Sequence, residues 1–478
     1  MKRYCDMISR LILPVSIMFC CIMTGCSRTS DNENTFRIKT DYQYMNFDQE
    51  SPSYTNCTED ESGNLYYLNS DYIYKYDIHT GTNKPLCNKP DCLHDKETDP
   101  KRFAECNAFC PYQIAFDGSR VLSYENGYIY YSDSQNMTST TEKLSLATNL
   151  VRVKTDGSEK DTVHSFDTSH VNRIFHRGYY YYVYKEYDED NNKKMSVKAY
   201  PLEGSGKEKT IYTAPDNING YDIQDLKAYG NYIFFMVRGD TGDGKKAYIK
   251  EISVNLSNGK TSEIKAPGQR EDIDGITYGD SVSQITFFND KVIFYVDDGE
   301  MTSRIMEEAK KNTKKGKKIS KNPGYTVDLY EADLDGSNVN KIPIRTKSGN
   351  ALYSDSEHLI ISDDYSIESQ VLDGSLDEAP GKAEYIVYDR EYKQVDTYTE
   401  ELKDSMQPSD NFPLYYVPLG SGEKSFLVLR NRETGAAEVY IGDKSCVGSL
   451  NGSAFPRKKV AETGKTPAEK YYEENLLG

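Results

Sequence analysis

The feature that most constrains this chain is a pair of β-favouring runs that recurs seven times. One copy is Asn126-Gly127-Tyr128-Ile129-Tyr130-Tyr131, followed downstream by Leu150-Val151-Arg152-Val153-Lys154-Thr155-Asp156-Gly157. The first run leaves a turn and is aromatic and β-branched. The second alternates apolar and polar residues and ends on an Asp-Gly turn, which is strand-and-turn chemistry. Aligned on the residue after the turn, the first run begins at Leu65, Tyr128, Tyr179, Tyr232, Val292, Leu359 and Phe426, with steps of 51 to 67 residues. The partner runs are Ile73–Tyr76, Leu150–Lys154, Val197–Tyr200, Ile249–Val254, Leu329–Leu334, Tyr385–Tyr388 and Ala437–Ile441. Most of them lead into Gly-containing turns such as Thr80-Gly81, Asn258-Gly259 and Asp335-Gly336, which supply positive φ at low steric cost.

A repeat of this length, rich in strand and poor in helix, suits a four-stranded propeller blade. The expected fold class is all-β: a β-propeller of seven blades, with six or eight as neighbouring solutions. The competing solution is a pair of unrelated β-sandwiches. Unequal steps fit a propeller, because loops absorb insertions at little thermodynamic cost. Its 478 residues then form one domain. The core must be aromatic: there are 41 Tyr and 16 Phe but no Trp. Flat aromatic rings bury large areas between narrow sheets, and the lack of Trp weakens a lectin reading.

Residues 1–25 read as an export signal. Lys2, Arg3 and Arg10 precede the apolar stretch Leu11–Met23, which contains Pro14 and is too short to span a bilayer comfortably. It ends Met23-Thr24-Gly25-Cys26, which resembles the bacterial lipobox, with Met23 in place of the usual Leu. The resemblance implies that Cys26 is acylated and becomes the N-terminus of the mature chain, tied to a membrane by its acyl chains. The expected location is the extracytoplasmic face of the cell membrane. The mature chain then carries 55 basic and 74 acidic residues. That balance argues against nucleic acid as a partner.

The remaining chain divides into a polar tether (26–35), the propeller (36–452) and a charged tail (453–478). Within 36–47, alternating apolar residues are expected to supply a strand completing the last blade, which removes free sheet edges. Two interruptions stand out: a cysteine-rich insertion at 86–112 and a lysine-rich loop at 301–322 with seven Lys.

The strongest local motif is Cys87-Asn88-Lys89-Pro90-Asp91-Cys92-Leu93-His94, followed by Cys106 and Cys110. Cys87, Cys92, His94 and Cys106 have the ligand types of a tetrahedral structural zinc site. Disulfides compete with that reading, because the chain is exported and six cysteines follow Cys26: Cys57, Cys87, Cys92, Cys106, Cys110 and Cys446. Cys57 and Cys446 bracket the repeats and would form a clasp if the ring closes there. Free or redox-active thiols are the third solution. No other cofactor is implied.

Contiguous catalytic signatures are missing. There is no Gly-x-Ser-x-Gly elbow, Gly204-Ser205-Gly206-Lys207 lacks phosphate-loop spacing, and the six histidines are scattered. The acidic loops Asp188–Asn192, Asp240–Gly244 and Asp333–Gly336 do not complete a calcium loop.

With lipobox, repeats and the run Leu86–His94 taken together, the chain resembles surface lipoproteins, mostly of Gram-positive anaerobes, that carry TolB-type and YWTD-type β-propellers. The Asp-Gly-Ser turns at Asp156–Ser158 and Asp335–Ser337 belong to that resemblance, though the Tyr-Trp-Thr-Asp tetrapeptide itself is absent. The resemblance implies a lipid-anchored propeller that binds a protein or saccharide on one face. With no catalytic constellation visible, the expectation is a monomeric, non-enzymatic binding or scaffold protein. The alternative is a secreted glycan-active hydrolase or lyase with carboxylates at the central channel.

Overall fold

In the computed structural model, the described residues are 41, 57–69, 71–110, 121–137, 145–168, 170–187, 193–204, 206–215, 219–240, 247–271, 277–278, 280–298, 301, 304, 325–363, 382–401, 424–430 and 436–476. The chain divides at Thr35/Phe36 into two units. The export signal, Cys26, the tether and nearly all of the lysine-rich loop lie outside the described residues. Among the described residues, no helix is long and apolar enough to cross a membrane.

Residues from Cys57 onward form a seven-blade β-propeller. Six blades are four-stranded antiparallel meanders and the seventh has three described strands. Blade one is Cys57–Glu59, Leu65–Asn69, Tyr72–Asp77 and Thr82–Pro85, and blade two is Ser123–Glu125, Tyr128–Met137, Ser145–Lys154 and Lys160–Phe166. Blade three is Val171–His176, Tyr179–Tyr187, Lys193–Pro201 and Lys209–Thr213, and blade four is Asn219–Tyr229, Tyr232–Asp240, Ala247–Asn255 and Thr261–Ile264. Blade five is Ser281–Phe288, Lys291–Asp297, Thr326–Ala332 and Asn340–Lys347, and blade six is Ala351–Ser354, Leu359–Ser362, Lys382–Tyr388 and Gln394–Glu401. Blade seven is Lys424–Arg430, Ala437–Asp443 and Arg457–Thr463. In six blades the aromatic run is the second strand and its partner run the third, and in blade seven they are the first two described strands; the runs pair as expected in every blade.

Strand alternation explains why the second strands are apolar throughout. Both faces of each blade are buried, so successive residues serve different cores. In blade two, Ile129 and Tyr131 pack with blade one while Tyr130 packs with blade three. In blade four, Ile233, Phe235 and Val237 pack with blade three, whereas Phe234 packs with blade five. Phe426, Ala437 and Val439 of blade seven join the core of blade one, which closes the ring. Asn69 strengthens the closure by donating from Nδ2 to Thr463 Oγ1 at 2.8 Å and to the Gly464 carbonyl at 3.2 Å.

One sequence boundary moves. The propeller does not stop at 452, because Arg457–Thr463 pairs with Ala437–Asp443 as the outer strand of blade seven. Beyond it, the tail forms the helix Pro467–Leu476. The segment 36–47 has one described residue, Asp41, which is buried against Arg177 and His176 at blade three (Oδ2 to Arg177 Nη2, 2.7 Å).

Candidate functional site

The cysteine-rich insertion follows blade one. Two short 3₁₀ turns, His94–Lys96 and Phe103–Glu105, fold it back on itself. Phe103 packs at a tilt on Phe109, whose ring meets Tyr72 edge-on, and they supply the local apolar floor. This folding brings Cys87, Cys92, His94 and Cys106 together, with their ligand atoms all within 4.8 Å of one another. Cys106 Sγ lies 3.8 Å from His94 Nδ1. Cys87 and Cys106 are buried, while Cys92 and His94 are half-buried. The four residues expected as a metal site therefore converge, and the cluster has the composition to hold a metal ion.

One backbone amide points at a sulfur of the cluster: His94 N–H donates to Cys92 Sγ at 3.4 Å. Burial works against a Cys87 thiolate, yet the nearby backbone amides of Lys89 and Asn107 and the neighbouring thiols hold its pKa below the ordinary range. Burial, reinforced by Cys87, pushes Cys106 upward, and burial holds the His94 imidazolium form down. His94 also sits at φ 55°, a left-handed conformation that costs a non-glycine residue energy.

The other cysteines stand apart from this set. Among the described residues no disulfide joins these cysteines. Cys57 lies on the inner strand of blade one, its thiol pushed up to about 12 by burial and by Glu59. Cys446 ends a 3₁₀ turn in blade seven and packs against a different core. Cys110 is buried near the end of the insertion, its N–H donating to the Asp71 carbonyl at 2.7 Å.

A second site was not anticipated. Glu251, on the third strand of blade four, is 7% exposed. Its Oε1 has no hydrogen-bond partner among the described residues. Alternation puts Glu251 on the face of blade four that looks toward blade five, since Ile252 and Val254 point to blade three. Burial pushes its carboxyl up to about 8, with Lys227 pulling it down and Asp225 pushing it further up. Lys227 is anchored by donating from Nζ to the Ile285 carbonyl of blade five at 2.9 Å. Ser253, two residues along the same face, also has a buried hydroxyl without a partner among the described residues. The short hairpin formed by Arg270–Glu271 and Thr277–Tyr278 packs against this same third strand.

The inner strands around this acid are bulged. Register slips occur between Gln224 and Lys227 in blade four and between Ser283 and Thr286 in blade five. Asp225 and Gln284 occupy the slips at φ 54° and 50°, and Asn172 takes the equivalent place in blade three at 47°. Asn172 Nδ2 donates to the Ile223 carbonyl of the next blade at 2.7 Å. Bulges of this kind re-aim side chains and gather near active sites.

The aligned repeats do not single out Glu251. It pairs with Met236, and the equivalent pairs in blades two and three are Ser132–Leu150 and Tyr-run residue Val183–Val197. Leu150 and Val197 are fully buried aliphatics. Blades two and three fill this position with core aliphatics, but continuing the registers of blades five and six by one residue reaches Asp328 and Glu384, so burial and not residue type sets Glu251 apart.

No protein-family profile matches the chain, and no curated protein matches it. Solved structures do. One, from work on two prolyl endopeptidases, is 12% identical, with a TM-score of 0.47, covering 88% of this chain and 51% of its own. Prolyl oligopeptidase B from Galerina marginata is 11% identical, with a TM-score of 0.41, covering 87% and 52%. An oligogalacturonate lyase in complex with manganese is 10% identical, with a TM-score of 0.37, covering 74% and 76%. The chain thus spans about half the length of the prolyl peptidases it matches. These neighbours are enzymes, which runs against the expectation of a non-enzymatic binding protein. Strands of a propeller assemble polar groups across a sheet and between blades, so such a site leaves no contiguous motif in the chain.

Proposed function

We propose that the protein is a glycan-cleaving enzyme, a hydrolase or lyase, in which Glu251 is the acid. The observation that carries this reading is the buried Glu251 carboxyl, raised to about 8 and facing Lys227 and Asp225 beside two bulged inner strands. Perturbed carboxyls with a specific charge partner concentrate at functional sites. At neutral pH such a carboxyl is largely protonated and is matched to the task of a general acid.

As a hydrolase, Glu251 gives its proton to the departing glycosidic oxygen. Asp225 takes a proton from the water that adds at the anomeric carbon, the division of labour of paired carboxylates. As a lyase on a uronate, Lys227 pairs with the sugar carboxylate, a base removes the proton α to it, and Glu251 protonates the leaving oxygen. The second route uses the substrate class named for the oligogalacturonate lyase neighbour.

The lipobox-like Met23–Cys26 supports placing this enzyme on the outer face of a membrane through an acylated Cys26. Palmitate labelling of the full chain should be lost in Cys26→Ala, and labelling that persists would remove the anchor from the reading.

The activity test incubates the full chain with a panel of neutral and uronate-containing polysaccharides. New reducing ends without unsaturated product mark a hydrolase, and unsaturated uronate marks a lyase. Glu251→Gln should fold and lose at least about a hundredfold in rate. Absence of cleavage across the panel, or full activity in a folded Glu251→Gln protein, would overturn the proposal.

A further inference from the structure

We infer that Cys87, Cys92, His94 and Cys106 form a structural zinc site that locks the closure of the propeller ring. This inference is independent of the activity assigned to Glu251.

The donor set is three sulfurs and one imidazole nitrogen, a closed tetrahedral combination that leaves no position for substrate. Zinc–sulfur bonds of about 2.3 Å set donor separations of about 3.8 Å along the edges of such a tetrahedron. The observed Cys106 Sγ–His94 Nδ1 separation is 3.8 Å, and every pair lies within 4.8 Å. Little movement is needed to reach a metal-bound geometry.

The backbone gives a second, independent argument. Cys92 receives the N–H of His94, two places on, at 3.4 Å. An amide aimed at a sulfur orients and stabilises a metal-bound thiolate, as outer-shell donors do. Packing alone gives no reason for the left-handed backbone of His94.

The position of the cluster defines its role. Asn88 N–H and Asn107 Nδ2 both donate to the Gly157 carbonyl in the turn of blade two, at 3.2 and 2.9 Å. Tyr74 of blade one donates to Asp95 at 2.8 Å. The turn His94–Lys96 packs against the C-terminal helix, and Phe103 meets the rings of Tyr471 and Tyr472 at 6.1 and 6.3 Å. One ion would therefore fix blade one, blade two and the chain end that follows blade seven. The flanking Leu86–Cys110 segment has few strands of its own to order it, so cross-linking it through a metal supplies what hydrogen-bond ladders supply elsewhere.

The test is metal analysis of the full chain purified without chelator, together with alkylation mass spectrometry of its thiols. The expected result is one zinc per chain, with Cys87, Cys92 and Cys106 unoxidised. Cobalt in place of zinc should give tetrahedral, thiolate-type absorption. His94→Ala alters a half-exposed residue and keeps the test readable where Cys106→Ser fails to fold; it should retain its circular dichroism and lose at least about tenfold in zinc affinity. Zinc well below one per chain, disulfides among these cysteines, or unchanged affinity in folded His94→Ala would overturn the site. If chelation removes the zinc, proteolysis near Lys101-Arg102 should accelerate and the melting temperature should fall. A zinc-free protein with unchanged melting and proteolysis would overturn the locking role.

Discussion

Gly157 of blade two lies directly on Cys87. A Cβ built on Gly157 would stand 2.8 Å from both the Cys87 Cα and its N. The turn takes φ +76°, so glycine serves two needs at once, the left-handed conformation and the close approach. The Asp156-Gly157 turn signal thus has a tertiary meaning beyond ending a hairpin.

Gly157→Ala should consequently destabilise the protein by roughly 2 kcal/mol or more, through backbone strain and the displaced insertion. It should also make the thiols of the cluster react faster with a disulfide reagent. Urea unfolding and thiol-reaction rates check both. An alanine variant with native stability and reactivity would mean that the insertion does not rest on this turn.

Glu251 predicts a pH dependence with a definite sign. Its folded pKa is raised from 4.5 to about 8, so the folded state holds the proton more tightly than the unfolded chain. Its contribution is complete below pH 4.5 and is lost as pH rises toward 8, a loss on the order of a few kcal/mol. Glu251→Leu, which installs the residue type that blade two uses there, should flatten that loss and raise the melting temperature at pH 8. The same variant should be inactive, trading function for stability. Melting curves from pH 5 to 8 decide the matter, and an unchanged slope would show that the acid is not held neutral.

The Arg457–Glu400 pair joins blades six and seven at 2.8 Å, with both side chains less than a tenth exposed. Burial pushes Glu400 up to about 7 against the pull of Arg457. Arg457→Met leaves a buried carboxylate alone and should cost roughly 3 kcal/mol at pH 8. The cost should shrink near pH 5, where Glu400 takes up a proton. Adding Glu400→Gln should recover much of the loss. A pH-independent cost would point to lost packing of the arginine stem instead.

Asp396 organises the loop after Cys446. It accepts the N–H groups of Gly448, Leu450 and Asn451 at 2.6, 2.9 and 2.8 Å. Burial opposes its charge, but these donors prevail and hold the carboxyl below 3.8. Its stabilisation is present above pH 3.8 and is lost as pH falls below it. Asp396→Ala should cost roughly 3 kcal/mol at pH 7, because the buried N–H groups lose their acceptor. Chemical denaturation at pH 7 and in acid separates the two regimes.

The sequence determined the ring. Aromatic second strands and alternating third strands recur because each strand must bury both faces against neighbouring blades, and that demand is written locally at every copy. It also placed Cys87, Cys92, His94 and Cys106 close along the chain, with the ligand types of a metal site and disulfides as a competing solution. Tertiary structure alone decided what surrounds them. Inner and outer strands carry weak local patterns and are specified by their partners, as Arg457–Thr463 shows by completing a blade from what reads as a tail. Glu251 becomes an unusual acid only when blade five covers it and Lys227 reaches across to Ile285. A pKa depends on burial and neighbouring charge in space, and neither quantity exists along the chain until the blades pack.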